Sequence, residues 1–403
     1  MSTGHLVLQP YMLVRHPAYR AQLEILSEIS ASTRVNAVFP EDVIEHERWA
    51  PRRSWLARAP GYISRRIRRA MLMRRDIGCH YFVGAFPSDG SLLAGGHRVH
   101  IDADDPVNLY RHAFRNSMPG GRCREVALKL LPAMRGGRLT LSFWTETQLR
   151  NFSANFHAAE SAPLFQRKLL KVLAPCIRPW PIQAEIGRSE TLRCLIITAG
   201  GKFWHKGVGD AIAAVHLAVE QGHPVTLTVV GEDIPEAWRT FVARHAHYRV
   251  FERLARDVLD RLFLQHDLLM FPSHHDTYGW VIVEAKARGV PAIATDFYTR
   301  VEIIAHEIDG LLIPDPFANP YLPIAPVAYG AGFLEPDGPE RIHVHPLIAS
   351  YMDSLVTALI RCQSDREFLR SIGNGAYRAT DVHGRFGTGT RVAALREILL
   401  PTG

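Results

Sequence analysis

The stretch "MFPSHHDTYGWVIVEAKARGVPAIATD", residues 270–296, decides how this chain folds. It continues the apolar run "DLLMF", passes through a turn holding His274, His275 and Asp276, and becomes a helical run. After Gly289-Val290-Pro291 it returns as a short apolar strand, "PAIAT". Strand, turn, helix and strand in that order make one unit of a parallel sheet. Two carboxylates, Asp276 and Glu284, stand eight residues apart around the helix start, which the sequence puts at Tyr278-Gly279. Free N–H groups gather at such a terminus, and Gly279 offers no side chain to block a ligand approaching them. The plainer roles are an N-cap for Asp276 or Thr277 and a surface carboxylate for Glu284.

Upstream, "TAGGKFWHKGVGD", residues 198–210, follows another strand. Gly200 and Gly201 permit unusual torsions, and Lys202 and Lys206 flank the turn before a helix expected to begin near Gly207. Cations beside a helix N-terminus make an anion site. The pattern is not a P-loop, because G-x-x-x-x-G-K-[ST] does not occur, and glycine turns between strand and helix are common without any ligand. Around these motifs the second half alternates regularly. "TLRCLIITAG", "VTLTVVG" and "YRVFE" read as strands, and "KGVGDAIAAVHLAVEQG", "PEAWRTFVARHA" and "ARDVLDRLFLQH" as helices.

The first half shows strand-like runs at "HLVLQPY", "RVNAVF", "CHYFVGAF", "HRVHI" and "LTLSF", with helical spacing in "PAYRAQLEILSEIS". Fold class is therefore α/β with parallel sheets. The 403 residues suffice for two domains, and the proline-broken segment Cys176 to Glu190 reads as the linker. The expected division is 1–180, 181–385, and a C-terminal helix in 386–403 packing back toward the N-terminal domain. The run from Pro314 to Pro346 carries too many prolines and glycines for a long helix or a central strand.

Five scattered cysteines form no C-x-x-C pair, so neither a zinc site nor a disulfide framework is indicated. No apolar run reaches the length of a membrane span, and the N-terminus lacks signal-peptide features, so a cytoplasmic protein is expected. Up to Trp180 there are 26 basic and 14 acidic residues; beyond it there are 21 and 26. Nine arginines and no acid lie between Arg52 and Arg75, interleaved with apolar residues. That run is either a solvated helical face or a contact for an anionic membrane surface at the inner face of the plasma membrane. No stacking module accompanies it, so no nucleic-acid partner is expected.

At the opening stretch the chain resembles the retaining glycosyltransferase family 4, whose GT-B architecture has two Rossmann-like domains facing across a cleft. The matching run is Pro272-Ser273, Asp276, Tyr278-Gly279, Glu284-Ala285, Gly289-Val290-Pro291 and Ile293-Ala294-Thr295-Asp296, followed by "VEIIAHEIDGLLIPD". The segments "ITAGGKFWHKG", "LTVVGE" and "DVLDRLF" match further landmarks in order. The resemblance implies transfer of a hexose from a nucleotide diphosphate sugar donor to a hydroxyl acceptor, with a lipid-linked or growing glycan expected from polysaccharide biosynthesis. It puts Glu284 on the ribose hydroxyls, Asp276 on the donor sugar, where the family more often has Glu, and Lys206 on the departing diphosphate. The family's arginine position falls at Gly201, and Lys202 is expected to substitute for it. Tyr278, Gly279, Gly231 and Arg253 complete the implied donor set. No metal or other cofactor is required; His274, His275 and Asp276 read as turn residues, since adjacent histidines project apart.

Over the first half the resemblance is only architectural, and Arg15 and His16 stand where the family has a glycine pair. "DADDP" ends a strand with Asp102, Asp104 and Asp105. These are turn or cap residues, or one of them, represented by Asp104, is the base of an inverting enzyme. The further alternatives are an epimerase or phosphorylase, and a degenerate, non-catalytic sugar-nucleotide-binding protein.

Overall fold

The computed structural model describes residues 5–9, 37–38, 77–83, 98–103, 130–154, 158–166, 169–198, 203–316, 333–338 and 340–399. Contacts divide the chain into two units, Met1–Cys176 with Thr388–Gly403, and Ile177–Gly387. The calls on Arg15, His16, the Arg52 to Arg75 run, Asp104, Asp105, Gly201 and Lys202 lie outside the described residues, as does the helix expected in "PAYRAQLEILSEIS".

The first unit holds strands β1 (His5–Gln9), β2 (Ala37–Val38), β3 (Ile77–Val83), β4 (Val99–Ala103), β5 (Leu139–Phe143) and β6 (Leu170–Val172). They form one parallel sheet in the order β2-β1-β3-β4-β5-β6. Val99, Ile101, Leu139, Leu141 and Phe143 are buried in its core. Apolar runs such as "LTLSF" mark a strand covered on both faces. Helix α1 (Glu146–Ser153) starts at a capping box, with the Thr145 hydroxyl accepting from the Gln148 N–H and the Gln148 side chain from the Thr145 N–H. Helix α2 (Ala158–Gln166) follows.

The second unit runs β7 (Leu192–Ile197), α3 (Val208–Glu220), β8 (Val225–Val230), α4 (Glu236–Arg244), β9 (Tyr248–Phe251) and α5 (Arg256–Leu264). It continues through β10 (Leu268–Phe271), α6 (Trp280–Lys286), β11 (Ala292–Thr295), α7 (Arg300–Ile303) and β12 (Gly310–Ile313). All six strands are parallel in the order β12-β11-β10-β7-β8-β9. That is the doubly wound Rossmann order, in which β7 and β10 are neighbours whose outgoing connections diverge. A separate antiparallel hairpin, β13 (Leu334–Asp337) with β14 (Arg341–Val344), occupies part of the proline-rich run. Helices α8 (Ala349–Ser364) and α9 (Arg366–Arg378) close the unit.

The chain then returns to the first unit as α10 (Thr388–Leu399). Arg391 on α10 is buried, pairs with Asp102 at the end of β4, and donates to the carbonyls of Leu173 and Ala174. The Ser142 hydroxyl donates to the same carboxylate at 2.9 Å. Asp102, one of the three aspartates considered as a base, is thus a buried anion held by a guanidinium and a hydroxyl, a role that ties the returning helix to the sheet. Among the described residues no helix is long and apolar enough to cross a membrane.

Candidate functional site

Lys206 and Asp276 meet at the switch point of the second sheet. The connection leaving β7 and the one leaving β10 are laced together: the His205 carbonyl accepts from the N–H groups of His274 at 3.0 Å and His275 at 3.1 Å, and from the Ser273 hydroxyl at 2.9 Å. Gly207 sits between them at φ 65°, and a Cβ there would lie 2.0 Å from the Pro272 carbonyl oxygen. Only glycine satisfies both the torsion and the approach. Helix α3 begins one residue later than expected because that left-handed residue is its N-cap.

On this scaffold Lys206 Nζ pairs with Asp276 Oδ2, the two side chains being 15% and 14% exposed. Asp276 Oδ1 accepts from the N–H groups of Tyr278 at 2.9 Å and Gly279 at 2.6 Å. Burial works against its charge, yet the Lys206 ammonium, these hydrogen bonds and the Arg300 guanidinium hold its carboxyl below the ordinary value. Two expectations change here. The Gly279 N–H is engaged by Asp276 and is not open to a ligand. The glycine itself answers φ 90° and the packing of Phe271 and Ile282, which a Cβ would meet within 4 Å. The N-cap of α6 is Gly279 itself, with no side-chain cap, so Asp276 holds the turn ahead of the helix and partners Lys206.

Behind this pair lies a second buried set. His274 is held between Asp315, Nδ1 to Oδ2 3.2 Å, and Asp210, Nε2 to Oδ2 3.4 Å. Burial opposes protonation, but the two carboxylates outweigh it and raise the imidazole to about 9. His274 and Asp276 therefore serve different partners, and His274, His275 and Asp276 do not share one ligand position. Among the described residues no group of three metal-ligating side chains is arranged to hold an ion. Arg300 is fully buried, donates Nε–H to the Thr295 carbonyl at 3.0 Å, and keeps both terminal nitrogens without a hydrogen-bond partner.

Glu284, the fifth residue of α6, is buried rather than superficial and stands in a ring of charges. Arg256 Nη1 lies 2.7 Å from Glu284 Oε1, and Arg256 Nη2 lies 3.0 Å from Asp260 Oδ1. Arg288 Nη2 donates to Asp260 at 2.5 Å and Nη1 to the Glu284 carbonyl at 2.7 Å. The Arg288 guanidinium is stacked over Trp180, 4.3 Å from the ring centroid, and Phe263, 5.0 Å. Burial pushes the Glu284 carboxyl up, against the pull of Arg256. Among the described contacts none joins this ring directly to Lys206; the two sets are connected through α6 and the turn before it, which Asp276 holds.

Two of the remaining expected donor residues have different surroundings. Gly231 follows β8, and a Cβ there would lie 2.2 Å from Thr198 Cγ2, which is a packing reason for the glycine. Arg253 projects into solvent and pairs with Glu232 at 2.6 Å. Sequence reading passed over Arg256, Arg288, Lys286 and Arg300. The signal was present in "WVIVEAKARGV", where cations at positions 286 and 288 interrupt an otherwise apolar helix and require buried partners. Lys286 finds Asp309 at 2.5 Å.

Comparison with known proteins finds similarity that is concentrated in the second unit. Residues 184–320 match the family described as "Glycosyl transferases group 1". The matched segment lies within the second unit. It contains Lys206, Asp276, Glu284 and all of the charged ring except Trp180. The glycogen synthase of Mycobacterium tuberculosis (strain CDC 1551 / Oshkosh) is 34% identical over 122 residues, 29% of each chain. The lipopolysaccharide glucosyltransferase WaaG of Escherichia coli (strain K12) is 25% identical over 202 residues, 46% of this chain and 52% of that protein. The chain thus spans about a third to a half of the curated relatives it matches. The solved structure of WaaG aligns with TM-score 0.56 and 15% identity, covering 98% of this chain and 99% of that one. The structure of Anabaena HepE in complex with UDP aligns with TM-score 0.59 and 12% identity over the same shares. These likenesses establish the GT-B fold, with two Rossmann-like units, for this chain.

Proposed function

We propose that the protein is a glycosyltransferase that moves a hexose from a nucleoside diphosphate sugar to a hydroxyl acceptor. The observation that carries this reading is the Lys206–Asp276 pair at the sheet's switch point, inside the segment that matches the family. Ligands of doubly wound sheets bind where neighbouring strands send their connections apart. In the reaction the bond from sugar C1 to the phosphate oxygen breaks, with its electron pair leaving on the diphosphate, while C1 bonds to the acceptor oxygen and the acceptor's proton passes to the departing diphosphate oxygen. Negative charge grows on the diphosphate, and Lys206 is the cation placed to receive it. Doing so requires exchange of its present partner: diphosphate takes the ammonium, and Asp276 retains the Tyr278 and Gly279 N–H groups. Asp276 then organises the turn, with its shorter side chain directed to the donor sugar once Lys206 has moved. Glu284, with carboxylate lone pairs beyond its ion pair, accepts from the ribose hydroxyls.

The relatives support the finer reading. WaaG is named a lipopolysaccharide glucosyltransferase, and HepE is solved with UDP and with UDP-glucose. We therefore assign UDP-hexose as the first donor to try, a glycan or lipid-linked glycan as acceptor, and retention of configuration as the outcome. A cytoplasmic site of action, with the arginine-rich run on an anionic inner membrane face, rests on sequence alone. The test is transfer of labelled sugar from a panel of UDP-, GDP- and dTDP-hexoses to extracted lipid and glycan pools. Transfer that Lys206→Ala reduces by about a hundred- to a thousandfold supports the assignment. Nucleotide binding without transfer to any pool refutes it in favour of a sugar-nucleotide-binding protein.

A further inference from the structure

Glu284 has a buried carboxylate that must stay ionised and correctly aimed if it is to accept hydrogen bonds from a ribose. Its side chain is 7% exposed, and the only cation within ion-pair distance of its carboxylate among the described contacts is Arg256, which is itself 39% exposed. Arg256 is not free to wander, because Asp260 holds its other terminal nitrogen at 3.0 Å. Asp260 is in turn held by Arg288, whose second terminal nitrogen grips the main chain at Glu284 and whose plane is clamped by Trp180 and Phe263. The ring therefore closes on itself, from the Glu284 side chain through Arg256, Asp260 and Arg288 back to the Glu284 carbonyl. Two cations and two anions balance within it. Arg256 thus holds the Glu284 carboxylate both by its charge and by its close contact with Oε1.

We propose that Arg256, fixed by Asp260 and Arg288, is a positioning residue that makes Glu284 selective for a ribose over a 2′-deoxyribose in the nucleoside diphosphate. The proposal rests on the donor site assigned above. Without Arg256 the charged groups left facing Glu284 are Asp260 on α5, which repels its charge, and Arg288, which is bound to Asp260 and to the main chain. A protonated Glu284 becomes a donor on one oxygen, and the 2′-hydroxyl loses its acceptor.

Calorimetric titration with UDP and 2′-deoxy-UDP tests this. The wild type should prefer UDP by about tenfold or more, as one hydrogen bond to a charged group gives, and by the same factor from pH 6 to pH 9. In Arg256→Gln the preference should fall to about twofold or less at pH 7, through weaker UDP binding alone, and return as the pH is raised to 9. Glu284→Gln should lose the preference at every pH. Equal weakening of both probes in Arg256→Gln, or a preference that survives in it, overturns the role of Arg256 while leaving the donor site standing. If Arg256→Gln does not fold, the wild-type profile decides: a preference that climbs with pH in the wild type means that Arg256 does not hold Glu284 ionised. A wild type that binds neither probe overturns the donor site itself.

Discussion

Lys206 and Asp276 illustrate how much one contact changes in the reading of two residues. Each was legible as a site residue from the sequence, Lys206 beside a glycine-rich turn and Asp276 ahead of a helix. Their pairing was not, because it depends on two connections 70 residues apart being brought together by neighbouring strands. The pair predicts that Asp276→Asn releases Lys206, leaving the fold intact through the retained Asn carbonyl at the Tyr278 and Gly279 N–H groups. Nucleoside diphosphate binding should then tighten while transfer falls, a split that single-turnover kinetics with titration measures. Gly207 makes a purely steric prediction. Gly207→Ala drives a methyl against the Pro272 carbonyl at a left-handed torsion, and denaturant titration should show a loss of at least ~2 kcal/mol.

Among the elements, the connection between β10 and α6 is the one most dependent on protonation. His274 is raised to about 9 in the fold from about 6.5 in the unfolded chain, because burial is overcome by Asp210 and Asp315. Its contribution is fully present below about pH 6.5 and is lost as pH rises through about 9. Chemical denaturation followed from pH 6.5 to 9.5 should show the stability of the wild type relative to His274→Asn declining by on the order of 2–3 kcal/mol, the comparison cancelling groups such as Lys286 that titrate in the same window. Helix α6 depends on charge in another way. Lys286→Ala strips the buried Asp309 of its partner and should cost about 3–5 kcal/mol by the same kind of measurement. The strands and helices of the second unit were readable because their apolar periodicity is regular. The buried cations in and after α6 were not, because burial of Lys286, Arg288 and Arg300 follows from where Asp309, Asp260 and Thr295 arrive in space. Among the described residues of 314–346 the strands are those of the hairpin β13–β14, which gave no sequence signal among so many prolines and glycines.

For the whole molecule, the chain leaves the first unit after Cys176 and returns to it at Thr388, so each unit completes its own core with chain from its own segments. Arg391 is the buried tie of the returning helix, and Arg391→Met leaves Asp102 uncompensated beside His100, which burial already holds neutral with its pKa lowered to about 4. A calorimetric scan should show the first unit melting earlier while nucleotide binding by the second unit is retained. The account's central claim is that a nucleoside diphosphate docks where the connections leaving β7 and β10 diverge. Diffraction from crystals grown with UDP measures that most directly. The account predicts phosphate oxygens at hydrogen-bond distance from Lys206 Nζ, with the Lys206–Asp276 contact broken and the ribose hydroxyls on Glu284. A diphosphate bound elsewhere, with Lys206 still paired to Asp276, contradicts it.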